Sequence, residues 1–488
     1  MRGSFASAGK LLCMMNFGAR AAGVLGLGWV MVAGCVAQSS LPAATVSGID
    51  AAAATVLETT GVPSASVAVV QGGKIAYVKA YGKARLEPVM MAEPGMQYSI
   101  GSVSKQFTAA LVLLLAQDGK LKLDDPVGRY LPGLTRANEV TIRQVLSMTS
   151  GYQDFWPEDY VMTSMMVPAT PQQILDGWGK KPLDFEPGTQ WQYSNTNYVI
   201  AGRIAEIAGG APLIVQLQER IFRPLRMNGV FNSDASRLPE NDPTGYYRHA
   251  LGPLRPAPQE GQGWMFAAGE LAMPASDLAR WNISLMDRTL LSQASYEEMF
   301  REVKLKDGKG TGYGLGVQVG VRDGHRYVAH SGEVSGFVSQ NLVFVDDKAA
   351  VTVLTNEDAS SAAGALARQI APLVLGKVSA VEAGGAATTA AEKRALEIFT
   401  GLQEGKIDRS QLTALCDAYF TQEALNDFSS SLKPLGVPGS FTQVNEEKRG
   451  GMIFRVFKVE FPGRQVEVTV YEEPDGKLEQ YLVIPVGS

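Results

Sequence analysis

Ser102-Val103-Ser104-Lys105-Gln106-Phe107 opens the stretch that decides how this chain folds and what it can do. From residue 107 to 116 the sequence is almost wholly apolar and it ends near Gly119, which predicts a buried helix with the Ser-x-x-Lys cluster in its first turn. The free N–H groups of a helix start favour negative charge on an attacking oxygen. Lys105, one turn beyond Ser102, shares its face and can reach the hydroxyl. To accept a proton the amine must be neutral. From a usual value of about 10.4 that requires a drop of about three units, which dehydration or a nearby cation supplies. The spacing alone is a weak signal, because Ser7/Lys10 and Ser430/Lys433 share it in settings unsuited to catalysis.

Two further clusters follow in order. Tyr193-Ser194-Asn195 lies behind a turn at Glu186-Pro187-Gly188, which places Tyr193 at a loop or helix entrance. The phenol can relay a proton between nucleophile and leaving group, and Asn195 can hold Lys105 or bond a substrate carbonyl. His330-Ser331-Gly332 reads as the end of a strand. Its glycine permits close approach of a substrate backbone, and the N–H of Glu333 can serve as an oxyanion donor. With only His249, His325 and His330 in the chain and no His-Glu-x-x-His, a catalytic zinc site is not expected. No Gly-x-Ser-x-Gly elbow points to an α/β-hydrolase.

At 488 residues, 45% hydrophobic and 19% charged, the chain has the composition of a globular protein of two or three domains. A net charge of −5 with no basic run or basic–aromatic stripe argues against a nucleic-acid partner. Residues 1–37 read as an export signal: Arg2, Lys10 and Arg20 precede an apolar stretch over 21–34, with Met14 or Met15 as alternative starts. Val32-Ala33-Gly34-Cys35 resembles a bacterial lipoprotein box that would lipidate Cys35 and attach the protein to a membrane. The alternatives are cleavage after Ala37 and an uncleaved anchor. Cys13 and Cys35 fall in this region, leaving Cys416 alone in the mature chain and excluding a disulfide framework.

Along the mature chain, residues 49–60 have helical spacing, and 66–71 with 74–81 form a hairpin around Gly72-Gly73. Residues 124–287 mix helical segments with loops. Strand character returns at 313–321, 326–330, 337–345 and 350–355, and a helix over 360–375 closes the unit. Hairpins at both ends of a domain predict one sheet built from distant segments. Residues 377–390 read as a linker. Beyond it, 391–488 form a small α+β domain: helices over 391–403 and 410–428, then three or four strands turning at Gly450-Gly451, Pro462-Gly463 and Asp475-Gly476. No chemistry is legible in that domain. It resembles cystatin-like or nuclear-transport-factor-like modules.

On these residues the chain resembles the serine β-lactamase and penicillin-binding-protein superfamily. The branch is that of class C β-lactamases, D-alanyl-D-alanine carboxypeptidases, D-aminopeptidases and lactamase-like esterases. The likeness extends to Thr141-Ile142-Arg143-Gln144-Val145-Leu146 with Thr149-Ser150-Gly151, and to Phe185-Glu186-Pro187-Gly188. Ile221-Phe222-Arg223-Pro224-Leu225, Ala275-Ser276-Asp277-Leu278-Ala279 and Tyr313-Gly314-Leu315-Gly316 continue it. The resemblance implies an α+β fold over 49–376: a three-layer α/β/α domain with an antiparallel sheet, beside an all-helical region. It makes Ser102 the nucleophile, Lys105 and Tyr193 the acid/base pair, and Asn195 a positioning residue. His330-Ser331-Gly332 becomes the sheet-edge motif, and the amides of Ser102 and Glu333 the oxyanion hole. No cofactor is implied.

Many β-lactamases carry Lys-Thr-Gly where this chain has His330-Ser331-Gly332. A histidine near its usual pKa of about 6.5 is mostly neutral at pH 7 and fixes a carboxylate poorly. The expected function is therefore a serine peptidase, amidase or esterase acting on D-amino-acid peptides or small esters. The alternatives are a β-lactamase and a catalytically idle binder of cell-wall peptide or β-lactam. Loops 152–168 and 237–266 shape the pocket, with Phe155, Trp156, Tyr247, Arg248 and Trp264 as candidate lining residues.

Overall fold

The computed structural model describes residues 41–376 and 389–487. The export segment, Cys35 and residues 377–388 of the expected linker lie outside the described residues.

Seven antiparallel strands build the main sheet: β1 (Ser64–Gln71), β2 (Lys74–Arg85), β3 (Met90–Met91), β4 (Gln318–Arg322), β5 (His325–Val334), β6 (Phe337–Phe344) and β7 (Ala349–Thr355). Their order is β3-β2-β1-β7-β6-β5-β4, so the first hairpin pairs with the last strand across nearly the whole domain. Strand alternation explains the layering. Ala65, Val67 and Val69 of β1 and Val351 and Val353 of β7 face one core, with the helices Ala43–Thr60 and Ala362–Leu375. Ala68 and Val70 of β1 and Ala350 and Leu354 of β7 face the other, which continues into the helical region. Burial of both faces fits the largely apolar run of β7, whose one interior polar residue, Thr352, donates to Asn341 Oδ1 at 2.9 Å.

The expected strand at 313–321 begins only at Gln318. Tyr313 folds inward as a buried ring instead, and Gly316 (φ +75°) turns the chain where a Cβ would meet the Lys105 carbonyl oxygen at 2.9 Å. The expected strand end at His330 is also displaced. β5 runs on to Val334 because β6 pairs with it throughout, His330 opposite Asn341 and Gly332 opposite Ser339.

The C-terminal domain is a four-stranded antiparallel meander, β8 (Ser440–Arg449), β9 (Met452–Phe461), β10 (Arg464–Glu472) and β11 (Leu478–Pro485), turning where the glycines predict. Its core gathers Phe399, Phe420, Phe428, Phe457 and Val468. The single helix expected over 410–428 is divided into Ala414–Tyr419 and Gln422–Leu432. Thr413 and Thr421 each cap a new helix, their hydroxyls accepting the N–H of Cys416 and Ala424.

This domain docks on the first through polar contacts. Gln480 and Asp159 exchange two hydrogen bonds of 2.8 Å, and Arg255 pairs with Asp427 at 2.5 Å. The Gly450-Gly451 turn between β8 and β9 reaches furthest. A Cβ on Gly450 would lie 3.1 Å from Pro157, beside the loop that leads to the active site.

Candidate active site

Ser102 sits in a 3₁₀ turn, Gly101–Ser104, that feeds directly into the buried helix Lys105–Gln117. Two glycines lock this turn against β5. A Cβ on Gly101 (φ +50°) would lie 2.6 Å from the Glu333 amide nitrogen, and one on Gly332 would lie 1.9 Å from the Ile100 carbonyl oxygen. Gly332 therefore admits the chain's own backbone, where the sequence suggested a substrate's. The Ser339 hydroxyl, donating to the Ile100 carbonyl at 2.8 Å, pins the same turn from β6. Gly332→Ala is expected to cost about 2–3 kcal/mol through overpacking and to separate β5 from Ser102. Thermal melting and probe labelling of Ser102 check this.

Lys105 is fully buried, with Nζ 2.8 Å from Ser102 Oγ, 2.8 Å from Asn195 Oδ1 and 2.9 Å from the Ala268 carbonyl oxygen. The last two atoms can only accept. A neutral amine spends both N–H bonds on them, which leaves its lone pair facing the serine hydroxyl. Burial drives the Lys105 pKa well below the ordinary lysine range; Asp154 opposes that shift and Arg449 reinforces it.

Tyr193 precedes the helix Asn195–Gly209, and its ring centre lies 5.0 Å from Lys105 Nζ. Burial raises its pKa, while its interaction with Ser102 and the charge of Arg449 pull it down; the group remains a phenol at neutral pH. Asp154 caps the helix from outside: its Oδ1 accepts the Asn195 backbone N–H at 2.8 Å. The Asn195 side-chain amide donates to the Trp156 carbonyl (3.0 Å) and to Asp154 (3.4 Å). Its Oδ1 accepts from Lys105, so the expected contact with the lysine is present.

His330 is also tied off. The Ser331 carbonyl, 2.5 Å from Nδ1, can only accept, so Nδ1 carries the proton and Nε2 accepts from the Tyr313 hydroxyl at 2.9 Å. Burial, with Lys105 nearby, lowers its pKa to about 3. It stands as a neutral wall, its ring 6.1 Å from that of Tyr193, while Ser331 beside it is exposed on the cavity rim. A histidine kept neutral when folded binds fewer protons than when unfolded, so stability falls as pH drops from about 6.5 toward 3. From pH 7 to 5 this amounts to about 2 kcal/mol. In urea unfolding at the two pH values, His330→Gln is expected to lose less stability than wild type by that amount.

Ser102, Tyr193, Asn195 and His330 line a cavity of about 360 Å³ with Phe155, Trp156 and Trp264. Tyr247 and Arg248, expected to line it, border a neighbouring cavity between the domains, and Arg248 is committed to Glu357 at 2.5 and 2.7 Å. Among the described residues no group of three or more His, Cys, Asp or Glu side chains is placed to hold a metal ion.

Arg449, at the tip of β8 in the C-terminal domain, also lines this cavity. Its guanidinium carbon lies 5.2 Å from the centre of the Tyr193 ring. Its Nε is 3.5 Å from Asp154 Oδ2, its Nη1 is 3.8 Å from Asp159 Oδ1, and Nη1 donates to the Tyr471 hydroxyl at 2.8 Å. Sequence reasoning missed Arg449 and Asp154. Lys448-Arg449-Gly450-Gly451 reads as a solvated hairpin turn, and nothing local marks the arginine as buried.

Residues 49–375 match the Beta-lactamase family, and the chain belongs to it. It is 30% identical over 307 residues to Penicillin-binding protein 4* of Bacillus subtilis (strain 168), covering 60% of this chain and 68% of that protein. With a D-aminopeptidase of Brucella anthropi it shares 29% identity over 334 residues, covering 66% of this chain and 62% of the relative. Its match thus spans about two thirds of the length of each. Among solved structures, D-amino acid amidase from Ochrobactrum anthropi SV3, complexed with L-phenylalanine amide, aligns at TM-score 0.59 and 26% identity, covering 68% of this chain and 97% of the other. The octameric penicillin-binding protein homologue from Pyrococcus abyssi aligns at TM-score 0.62 over 90% of this chain and 99% of its own, at 21% identity. That likeness carries the shared fold into the C-terminal domain. The protein is a β-lactamase-fold hydrolase.

Proposed function

We propose that this protein is a serine hydrolase that forms an acyl-enzyme on Ser102, and that its substrates are amides and short peptides of D-amino acids. The observation that carries the reading is the fully buried Lys105 amine, whose Nζ lies 2.8 Å from Ser102 Oγ and is held by two acceptor-only partners, Asn195 Oδ1 and the Ala268 carbonyl oxygen. As Ser102 Oγ bonds to the substrate carbonyl carbon, its proton passes to Lys105 Nζ. The carbonyl electron pair moves to an oxyanion between the amides of Ser102 and Glu333. When the pair returns, the carbon–nitrogen bond breaks and the Tyr193 phenol protonates the departing amine. Tyr193 regains its proton from Lys105, leaving the ester on Ser102. A water then replaces the amine and the steps run in reverse order to release the acid.

The substrate class rests on two supports. Relatives in the family include a D-aminopeptidase and a D-amino acid amidase. The cavity's histidine is neutral and its arginine already faces Asp154 and Asp159, a poor receptor for an anionic β-lactam. The test is a rate panel of D-amino-acid anilides, short p-nitrophenyl esters, a D-Ala-D-Ala peptide and a chromogenic cephalosporin. The D-amino-acid anilides are expected to turn over fastest; a cephalosporin leading by a wide margin would refute the assignment.

We also read the chain as exported and periplasmic, lipidated at Cys35. Mass analysis of the mature N-terminus decides this: an acylated Cys35 is expected, and a free Gln38 would assign ordinary cleavage instead.

A further inference from the structure

We propose that Arg449, carried by the C-terminal domain, is the fixed cation of this active site: a positioning residue whose charge balances Asp154 and keeps Lys105 in its uncharged, proton-accepting form. The inference rests on the Ser102 mechanism above and assigns the C-terminal domain a part in it.

The geometry supports this from several sides. Arg449 and Lys105 lie 5.2 and 5.0 Å from the centre of one ring, that of Tyr193. The guanidinium carbon and the Lys105 nitrogen are thus no more than about 10 Å apart, close enough in a protein interior for the Arg449 charge to shift the amine by about one pK unit. Asp154 is the opposing charge. Its side chain is fully buried, it binds the Asn195 N–H at 2.8 Å, and Asn195 in turn holds Lys105. An unbalanced carboxylate here would favour the ammonium form of Lys105. The Arg449 Nε, 3.5 Å from Asp154, supplies the balance. The guanidinium cannot leave easily: Tyr471 and the Trp156 carbonyl accept from it, and Gly450 against Pro157 seats the hairpin.

The remaining titratable groups do not supply this charge. Around Lys105 these are Tyr193, Tyr198, Tyr313 and His330; burial keeps all four neutral at physiological pH. Around Arg449 the wall presents Asp159, Glu158, Glu447, Glu333 and Asp358 together with the Tyr471 phenol, all of which are neutral or negative. Arg449 is the one cation lining the cavity among the described residues.

The test follows the pH dependence of Ser102 acylation by a fluorophosphonate probe, with kcat/KM for the best substrate in the panel beside it. Neutral Lys105 is the reactive form, so the rate rises with pH through the Lys105 pKa. Arg449→Gln is expected to move that limb about one unit toward higher pH. Arg449→Lys, which keeps the charge, is expected to leave the limb within a few tenths of a unit of wild type. Asp159→Asn removes a carboxylate facing Arg449 without altering the arginine and is expected to move the limb the other way. A limb unmoved in Arg449→Gln would overturn the proposal, as would Arg449→Lys shifting as far as Arg449→Gln. If Arg449→Gln does not fold, Arg449→Met, which keeps the aliphatic stem against Tyr193 and removes the charge, carries the same expectation and decides instead. Absence of labelling in wild type would instead refute the Ser102 mechanism itself.

Discussion

Ser102→Ala is expected to lower kcat/KM by at least about 10⁴-fold and to abolish labelling by fluorophosphonate or fluorescent penicillin. The fold is expected to be retained. The turn that carries Ser102 is held by backbone packing at Gly101 and Gly332 and by the Ser339 hydroxyl, none of which involves the serine side chain. Alanine removes one oxygen from a cavity wall and leaves the Lys105 amine bonded to Asn195 and Ala268. Substrate binding by the variant, measured by calorimetry, is expected to stay within a few-fold of wild type, because the loss falls on a bond made only in the reaction. Equal labelling of variant and wild type would remove Ser102 from the mechanism.

Lys105→Met is expected to cost about 10³-fold in kcat/KM and to flatten its pH profile. Methionine approximates the length of the lysine stem, but it supplies no base. In wild type the rate climbs with pH as Lys105 loses its proton. Because burial drives that pKa down, the plateau is reached well below the pH at which an exposed lysine titrates. The variant keeps the serine and the oxyanion donors, so its residual rate is expected to be independent of pH over that range. The substitution also strands the Asn195 and Ala268 oxygens, each costing about 1–3 kcal/mol when left unpaired. Unfolding measurements separate that loss from the loss in rate: a variant that melts early yet retains the pH-dependent limb would place the base elsewhere.

Much of this site was legible because its chemistry is local in sequence. Ser102 and Lys105 are a helical turn apart, and the hydrophobic run behind them could only be a buried helix. The hairpin at Gly72-Gly73 and the turns of the C-terminal meander announced themselves through glycine at positions of positive φ. What escaped depends on pairing between distant segments. The extent of β5 past His330 is decided by its partner β6, and sequence alternation at Ser331 and Gly332 gives no sign of it. The purpose of Gly332 lies in the Ile100 carbonyl, more than 200 residues earlier in the chain. Arg449 is the sharpest case. A lysine-arginine pair before two glycines has the composition of a solvated tip, and only docking against Pro157, Asp154 and Tyr193 makes it an interior charge. The divided helix after Leu412 was readable in principle, since Thr413 and Thr421 are both good caps. Hydrophobic periodicity across them masked the break.

The salt link between Arg449 and Asp154 has a thermodynamic consequence for the whole chain. If the C-terminal module were to unfold first, it would withdraw the guanidinium and abandon a carboxylate in surroundings that solvate it poorly. Stripping one member from such a pair costs about 3–5 kcal/mol, which falls on the half left standing. Heat-induced unfolding is accordingly expected to show one shared transition, with neither half outlasting the other by many degrees.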